Sequence, residues 1–304
     1  MHPSQSSARR EFLRQSLIIG SGLLAGPSLF AFGPRPNSRF NGVQIGAITY
    51  SFRSMPVTPD DIIRYCQQCG LSALELKGET AEPFAGSPSA AKIREWRETV
   101  GMEKFIEMRK MFRKAGISIY AYKPNALNEK NTDGEIAHAM KAAKALGASS
   151  VTVELPKDPA HSKRLADIAA AHGIYVGYHA HTQATDTAWD EALAQSPWNT
   201  LNLDCGHYIA AGGNNTPASL LALIEAKHDR ISSLHLKDRR TKENGGANVE
   251  WGKGDTPIKG ILKLIKDKGY KFPVSIELEY PIPAGSDAVK EVTKCVAYAK
   301  EALS

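Results

Sequence analysis

The residues of this sequence best suited to chemistry recur at alternate positions within short β-branched runs. Ser150-Val151-Thr152-Val153-Glu154 sets Thr152 and Glu154 against valines, and Tyr178-His179-Ala180-His181 spaces two imidazoles by one residue. Asn202 and Asp204 alternate with Leu201 and Leu203, while Ser233, His235 and Lys237 alternate with Leu234 and Leu236. Ser275, Glu277 and Glu279 alternate with Val274, Ile276 and Leu278, and an earlier run adds Glu75 and Lys77 around Leu76. In an extended chain successive side chains point to opposite faces, so the polar members of each run share one side. Bringing Glu154, Asp204, His235 and Glu277 to one point would set three carboxylates beside an imidazole. Close carboxylates repel unless they are protonated or bound to a cation, since unpaired charge is costly to bury. A divalent metal resolves the conflict. The mixed oxygen and nitrogen donors suit one Mn²⁺, Co²⁺, Mg²⁺ or Zn²⁺ ion better than a thiolate-seeking metal.

Elements able to position such a set are legible along the chain. Strands are expected at Val43–Ser51, Ala73–Leu76, Ile117–Tyr122, Ser150–Leu155, Ile174–His179, Thr200–Asp204, Ile231–Leu236 and Val274–Leu278. Helical stretches lie between them, including Pro59–Cys69, Ile136–Leu146, Ser162–His172, Pro217–Lys227 and Ile258–Lys268. Gly70, Gly116, Gly147, Gly173 and Gly269 stand where left-handed helix caps are expected. The strands recur roughly every 33 residues, the spacing of a βα repeat. No glycine-rich phosphate loop follows the first strand, so a dinucleotide-binding sheet lacks its signature. The economical reading is an α/β chain forming a single (β/α)8 TIM barrel, with its site at the C-terminal strand ends. The segment Glu79–Val100 is long for a connection and is expected to form a lid or an extra helix.

Before the barrel comes Ser7-Ala8-Arg9-Arg10-Glu11-Phe12-Leu13, then an apolar run from Leu17 to Phe32 broken by Gly20, Gly22, Gly26 and Pro27. The run is shorter than the roughly 20 apolar residues a spanning helix needs. Residues 1–33 read as an export signal, and the paired arginines resemble the twin-arginine type. The expected organisation is a signal at 1–33, a linker at 34–41 and the barrel at 42–304, with periplasmic location and no stable membrane anchor after cleavage. The whole chain carries a net charge of +6; losing Arg9, Arg10, Arg14 and Glu11 with the signal leaves +4. That balance argues against nucleic acid as a partner. Four cysteines in 304 residues are too few for a disulfide framework. Cys66 and Cys69 have redox spacing but fall in an amphipathic helix, where burial is the expectation.

Tyr178-His179-Ala180-His181, Leu203-Asp204-Cys205-Gly206-His207, His235-Leu236-Lys237-Asp238 and Ser275-Ile276-Glu277-Leu278-Glu279 closely resemble the xylose isomerase-like TIM-barrel superfamily, in particular its sugar phosphate isomerase/epimerase group. The likeness covers nearly all of the chain after the signal, from Thr49-Tyr50-Ser51-Phe52-Arg53 onward. It implies that Glu154, Asp204, His235 and Glu277 hold one divalent ion, that Glu154 and Glu277 also shuttle the proton, and that His207 touches substrate. Two departures stand out: the fifth strand reads His-Ala-His where relatives often have His-Asn-His, and no arginine matches the epimerase spacing after His235, though Arg239 and Arg240 lie near.

The chemistry expected is proton abstraction beside a metal-chelated carbonyl, as in an isomerase or epimerase. Lys237 and Lys123 are candidates to orient or polarise a carbohydrate substrate, and Tyr50 and Trp251 to stack on it. Glu75, His179 and His181 complete the expected substrate-facing set, the histidines being read as substrate or supporting groups rather than direct ligands. A periplasmic enzyme would meet unphosphorylated sugars, oxidised sugars or glycosides, so a 3-keto-glycoside lyase or hydratase using the same metal and base is the alternative. An endonuclease IV-like nuclease is a remote one, because that type needs histidines on the second and third strands, which here offer Glu75, Lys77 and Lys123. A sugar-binding barrel without catalysis is disfavoured by the filled metal positions. The sugar, the metal and any homo-oligomer stay open.

Overall fold

The computed structural model of the protein describes residues 35–304; the expected export signal lies outside the described residues. Eight strands form the barrel: β1 (Val43–Ile48), β2 (Ala73–Lys77), β3 (Ser118–Lys123), β4 (Ser150–Glu154), β5 (Tyr175–His179), β6 (Asn199–Asp204), β7 (Ile231–Leu236) and β8 (Val274–Ile276). Each pairs in parallel with the next, and β8 closes the ring on β1 with Val274 opposite Ile45 and Ile276 opposite Ala47. This is the (β/α)8 barrel the repeat spacing implied. Val151, Val176, Leu201, Leu203 and Leu234 share one buried core with helix residues such as Ile136, Leu165, Leu220, Ile261 and Val292. Each such side chain contributes about 1.5–3 kcal/mol on leaving water.

The first and last strands stop earlier than their sequences suggest, for one shared reason. After β1 the chain turns into a 3-10 helix at Thr49–Phe52. There the Ser51 hydroxyl donates to Ile276 O at 3.0 Å and accepts from Leu278 N at 3.0 Å. A side chain thus takes over the ladder between the first and last strands. Helix starts shift similarly through capping: Asp133–Leu146 begins ahead of Ile136 because Thr132 and Glu135 form a reciprocal capping box. The Glu79–Val100 insertion contains two helices, Gly78–Phe84 and Ile93–Thr99. Arg97 of the second is buried between Glu82 at 3.0 Å and Glu135 at 3.1 Å, which ties the insertion to the neighbouring helix.

The stretch expected as a linker enters the barrel floor instead. Ser38 is fully buried, donates to Ile45 O and exchanges hydrogen bonds with Ser72. Arg39–Phe40 pairs antiparallel with β1 through Asn41-Gly42, both at positive φ, the combination a two-residue hairpin demands. The four cysteines are buried and unpaired. Among the described residues no helix is long and apolar enough to cross a membrane.

One buried group outside the barrel mouth gives the fold a pH dependence. His138 lies between the rings of Trp96 and Phe105 at 5.4 and 5.6 Å, and neither ring nitrogen has a hydrogen-bond partner. Burial, with Arg97 and Lys141 nearby outweighing Glu135, pushes its pKa down to about 4. The unfolded chain binds this proton near pH 6.5 and the folded chain only near 4, so the group is neutral to stability above 6.5 and destabilises increasingly below it. The unfolding midpoint should fall as pH drops from 6.5 to 4, by a contribution of up to about 3 kcal/mol. His138→Leu should flatten that slope in urea melts across this window; an unchanged slope would count against the assignment.

Candidate active site

The site begins inside the barrel, where β-strand alternation turns Glu75, Thr152, Asn202, Ser233, His235 and Ser275 inward, all buried. Glu75 Oε2 accepts from Ser275 at 3.2 Å and lies 2.8 Å from His235 Nε2, while Thr152 donates to Glu75 Oε1 at 2.7 Å. With Nε2 donating to Glu75, His235 turns Nδ1 up towards the barrel mouth. Asn202 Nδ2 donates to Ser233 at 2.7 Å, so its Oδ1 faces His179 Nδ1 at 3.0 Å. That fixes His179 as the tautomer whose Nε2 lone pair points into the site.

At the mouth, the registers Asp204↔His235 and Glu154↔His179 bring the strand ends level. Asp204 caps the helix Cys205–Ala211: its Oδ1 accepts from His207 N at 2.6 Å, leaving Oδ2 to face the cluster. His235 Nδ1 is 3.9 Å from Asp204 Oδ2 and 3.4 Å from Glu277 Oε2. Lys237 Nζ donates to Glu277 Oε2 and Glu279 Oε2, each at 2.7 Å. It also lies 2.9 Å from Asp204 Oδ2, but off the hydrogen-bonding direction, so that oxygen takes no hydrogen bond. Gly206 makes this possible, because a Cβ there would stand 2.5 Å from Lys237 Cγ and 2.9 Å from its carbonyl oxygen.

The electrostatics follow from burial against these partners. Burial pushes Asp204 up to about 7 although Lys237 opposes it. Glu277 feels the same burial but is held well below the usual carboxylate range by His235 and Lys237. For His235, burial is outweighed by Glu75 and Glu277, which raise it to about 10. His179 stays neutral, depressed by burial and by His235.

These positions fit a divalent cation. Asp204 Oδ2 and His235 Nδ1 are buried polar atoms without hydrogen-bond partners, 3.9 Å apart, and Glu277 Oε2 lies 3.4 Å from His235 Nδ1. The ligating atoms of His179, Asp204 and His235, and those of Asp204, His207 and Glu277, lie within 4.8 Å of one another. Three of the four expected ligands therefore converge, and His179 joins them. Glu154 stands apart at the rim: its side chain is 46% exposed, with Lys123 at 2.9 Å and His181 at 3.2 Å. A third trio, His179, His181 and His207, is wholly imidazole. A cation there would meet Lys237 and Arg239, which press on the two nitrogens of His207 at 2.8 and 2.6 Å.

Other expected substrate contacts are placed differently. Glu75 is fully buried beneath His235, so it supports the imidazole instead of facing a ligand. Tyr50 has its ring engaged by Arg53 at 4.3 Å and Lys77 at 4.7 Å, beside a cavity of about 250 Å³. Trp251 is edge-on to Tyr298 of the last helix at 5.8 Å. Sequence reasoning passed over Glu279, Asn202 and Arg239 as site residues. The first two were signalled by the same alternation that found Glu277 and Asp204; Arg239 had no such signal, since it belongs to a hairpin (Asp238–Arg239 with Asn248–Val249) beyond β7.

The chain belongs to the xylose isomerase-like TIM barrel family, which residues 63–297 match. No curated protein matches by sequence. Among solved structures, a sugar phosphate isomerase/epimerase from Parabacteroides distasonis is similar at 21% identity and a TM-score of 0.58, over 84% of this chain and 93% of that one. The probable 3-DHS dehydratase AsbF of Bacillus anthracis gives 15% identity and a TM-score of 0.64, over 84% and 98%. D-psicose 3-epimerase from Clostridium cellulolyticum, solved with D-tagatose, gives 13% and 0.62, over 86% and 99%. At these identities the likeness establishes the shared fold.

Lys237 is the cation that offsets three buried or half-buried carboxylates in the protein alone. Lys237→Met should cost about 3 kcal/mol or more in urea melts with chelator present, because breaking a buried pair strands its partners. Adding Mg²⁺ or Mn²⁺ should raise the variant's midpoint more than the wild type's. Equal stability of the two proteins in chelator would show that the ammonium does not have this role.

Proposed function

We propose that this chain is a divalent-metal-dependent sugar isomerase or epimerase acting on an unphosphorylated sugar or keto-sugar. The observation that carries the reading is the convergence of Asp204 Oδ2, His235 Nδ1 and Glu277 Oε2 on one buried point at the C-terminal mouth. Asp204, His235 and Glu277, with His179 beside them, would hold the ion, and Glu154 would join if it turned inward from the rim. When bound, the ion would supply Lewis acidity to a carbonyl and its neighbouring hydroxyl, acidifying the C–H between them. The protein's part is proton movement and orientation. Glu277 is fixed by Lys237 on the inner side, and Glu154 is held by Lys123 and His181 on the outer side. One carboxylate removing the carbon-bound proton and the other returning it to the opposite face of the same carbon would invert that centre; returning it to the neighbouring carbon of the enediolate would instead exchange the carbonyl and hydroxyl positions, an isomerisation.

The unphosphorylated substrate follows from the proposed export of the chain through its Arg9-Arg10 leader, since sugar phosphates are mostly cytoplasmic. The second reading, a 3-keto-glycoside lyase or hydratase, draws on one feature. Beside Glu154 a cavity of about 500 Å³ has an apolar wall of Leu127, Val153, Leu155 and Pro156 and a polar edge that includes Glu129 and Lys130. An apolar leaving group released under Glu154 would have room there.

Metal analysis of the purified protein, followed by proton exchange from D₂O into ketoses and 3-keto-glycosides, tests both readings. Glu277→Gln should lose metal and exchange together. Glu154→Gln should keep most of the metal while exchange falls by about 10²-fold or more, the usual worth of a positioned base. Exchange into ketoses supports the isomerase, and elimination of the aglycone supports the lyase. Wild-type exchange in both variants would refute the site.

A further inference from the structure

A second cavity, of about 480 Å³, adjoins the one beside Glu154. The insertion helix Ile93–Thr99 supplies Arg94 and Arg97 to its wall, and the loop 124–132 after β3 supplies Asn128 and Lys130. Asn128 and Lys130 line both cavities, so the second continues the first outward from the barrel mouth. Its wall carries charge of mainly one sign. Arg94, Arg97 and Lys130 stand there against one carboxylate, Glu135, while Glu129 lines only the first cavity. Even counting Glu82, which pairs with Arg97 at 3.0 Å behind the wall, the cations outnumber the carboxylates.

Each cation is left incompletely paired. Arg97 is buried and gives its two terminal nitrogens to Glu82 and Glu135, yet its Nε has no hydrogen-bond partner. A buried donor without an acceptor is costly, so an unmet N–H on a cavity wall marks a place for an oxygen. Arg94 is largely exposed and comes no nearer to Glu135 than 3.7 Å. Lys130 is exposed and has no carboxylate partner among the described residues. The loop that presents Lys130 is nevertheless fixed. Asn128 N donates to Asn131 Oδ1 at 3.0 Å, Lys130 N donates to Asn128 Oδ1 at 2.9 Å, and Arg164 ties Asn131 O at 2.7 Å. The donors are therefore held in place before any ligand arrives, which lowers the cost of binding one.

We propose that this second cavity is a subsite for an oxyanion on the remote unit of the substrate, a uronate carboxylate or a sulfate ester, so that the enzyme takes acidic saccharides. A sugar reacting beside Glu154 would place its neighbouring unit in the first cavity and that unit's substituent against Arg94 and Lys130. Guanidinium and ammonium groups suit such oxygens because they only donate hydrogen bonds and carry the opposite charge. Arg94 and Lys130 recognise the substrate far from the reacting carbon, so they set its affinity and not the chemical step. The assignment to substrate rests on the proton-transfer reading above; recognition of an acidic saccharide by these two residues does not.

The test is calorimetric binding to the full-length protein in chelator, so that no metal contributes. The probes are disaccharides ending in glucuronate, galacturonate or mannuronate, the matching neutral disaccharides, their 6-O-sulfated forms, and inorganic sulfate. At low salt at least one acidic disaccharide should bind about ten-fold or more tighter than its neutral counterpart, and the gap should narrow at high salt. Arg94→Ala and Lys130→Ala should each weaken the acidic ligand about three- to five-fold and leave the neutral one unchanged, with Arg94→Lys recovering part of the loss. Both side chains are exposed, so unchanged urea midpoints show that the variants are folded. A gain confined to the uronates assigns the carboxylate, and one confined to the sulfated sugars assigns the sulfate ester; either supports the proposal. Three results overturn it: no gain from any acid group, a gain that persists when Arg94 and Lys130 are both alanine, or inorganic sulfate binding as tightly as the best disaccharide. With a sugar found to exchange, adding the acidic unit should lower KM about ten-fold with little change in kcat. Failure of exchange with every sugar would instead refute the isomerase reading and leave the binding result standing.

Discussion

The structure depends on keeping several carboxylates in one dry place. Glu75, Asp204 and Glu277 are buried, and Glu279 is half-buried against the same lysine. Charges of one sign at this separation cannot stay ionised in a low-dielectric interior without compensating cations. Lys237 and His235 provide them, and the local fold is shaped around that need. Gly206 lets the helix after β6 lie against the lysine, Asp204 spends one oxygen on that helix's first turn, and β7 delivers His235 and Lys237 from alternate positions on one face.

The same constraint explains the unusually polar barrel interior. Two imidazoles at the mouth are turned by a partner one layer deeper: Glu75 for His235, Asn202 for His179. Those partners are held in turn by Thr152, Ser275 and Ser233. The chain of hydrogen bonds replaces the branched aliphatic layers that ordinarily fill such barrels. Its effect is to convert strand register into ring orientation, so that Nδ1 of His235 and the Nε2 lone pair of neutral His179 face the point where a cation fits, and a cation binding there would displace the Nδ1 proton of His235.

Periodicity of two was enough to read eight strands and to place Asp204, His235 and Glu277 together, because alternation and parallel register are local properties that a closed barrel preserves. What it could not supply was depth. Glu75 and Glu277 look equivalent on their strands, yet Glu75 lies mid-strand under His235 whereas Glu277 lies past the end of β8. Aromatic residues were the least legible: Tyr50 sits in the 3-10 turn after β1 and Trp251 in a loop, where no strand period fixes direction, and their rings meet Arg53, Lys77 and Tyr298. Asn41-Gly42 carried a hairpin signal that was overlooked beside a presumed linker. The partners of Arg97 and Arg239 arise from contacts between separate loops and helices, which no single segment encodes.

Glu154 shows how far position on a strand differs from position in a site. It is level with His179 across the β4–β5 pair, so its backbone stands where a ligand's should. Its carboxylate nevertheless goes outward, because Lys123 and His181 supply positive partners at the rim while the interior already holds more carboxylates than cations. Drawing Glu154 inward would add another negative charge to Asp204 and Glu277, a move that only an additional cation at the mouth makes favourable. The side chain's placement and the charge at the mouth are therefore coupled. The carboxylate at the rim, 46% exposed, also has solvent access and a neighbouring cavity, which the buried carboxylates of Asp204 and Glu277 lack.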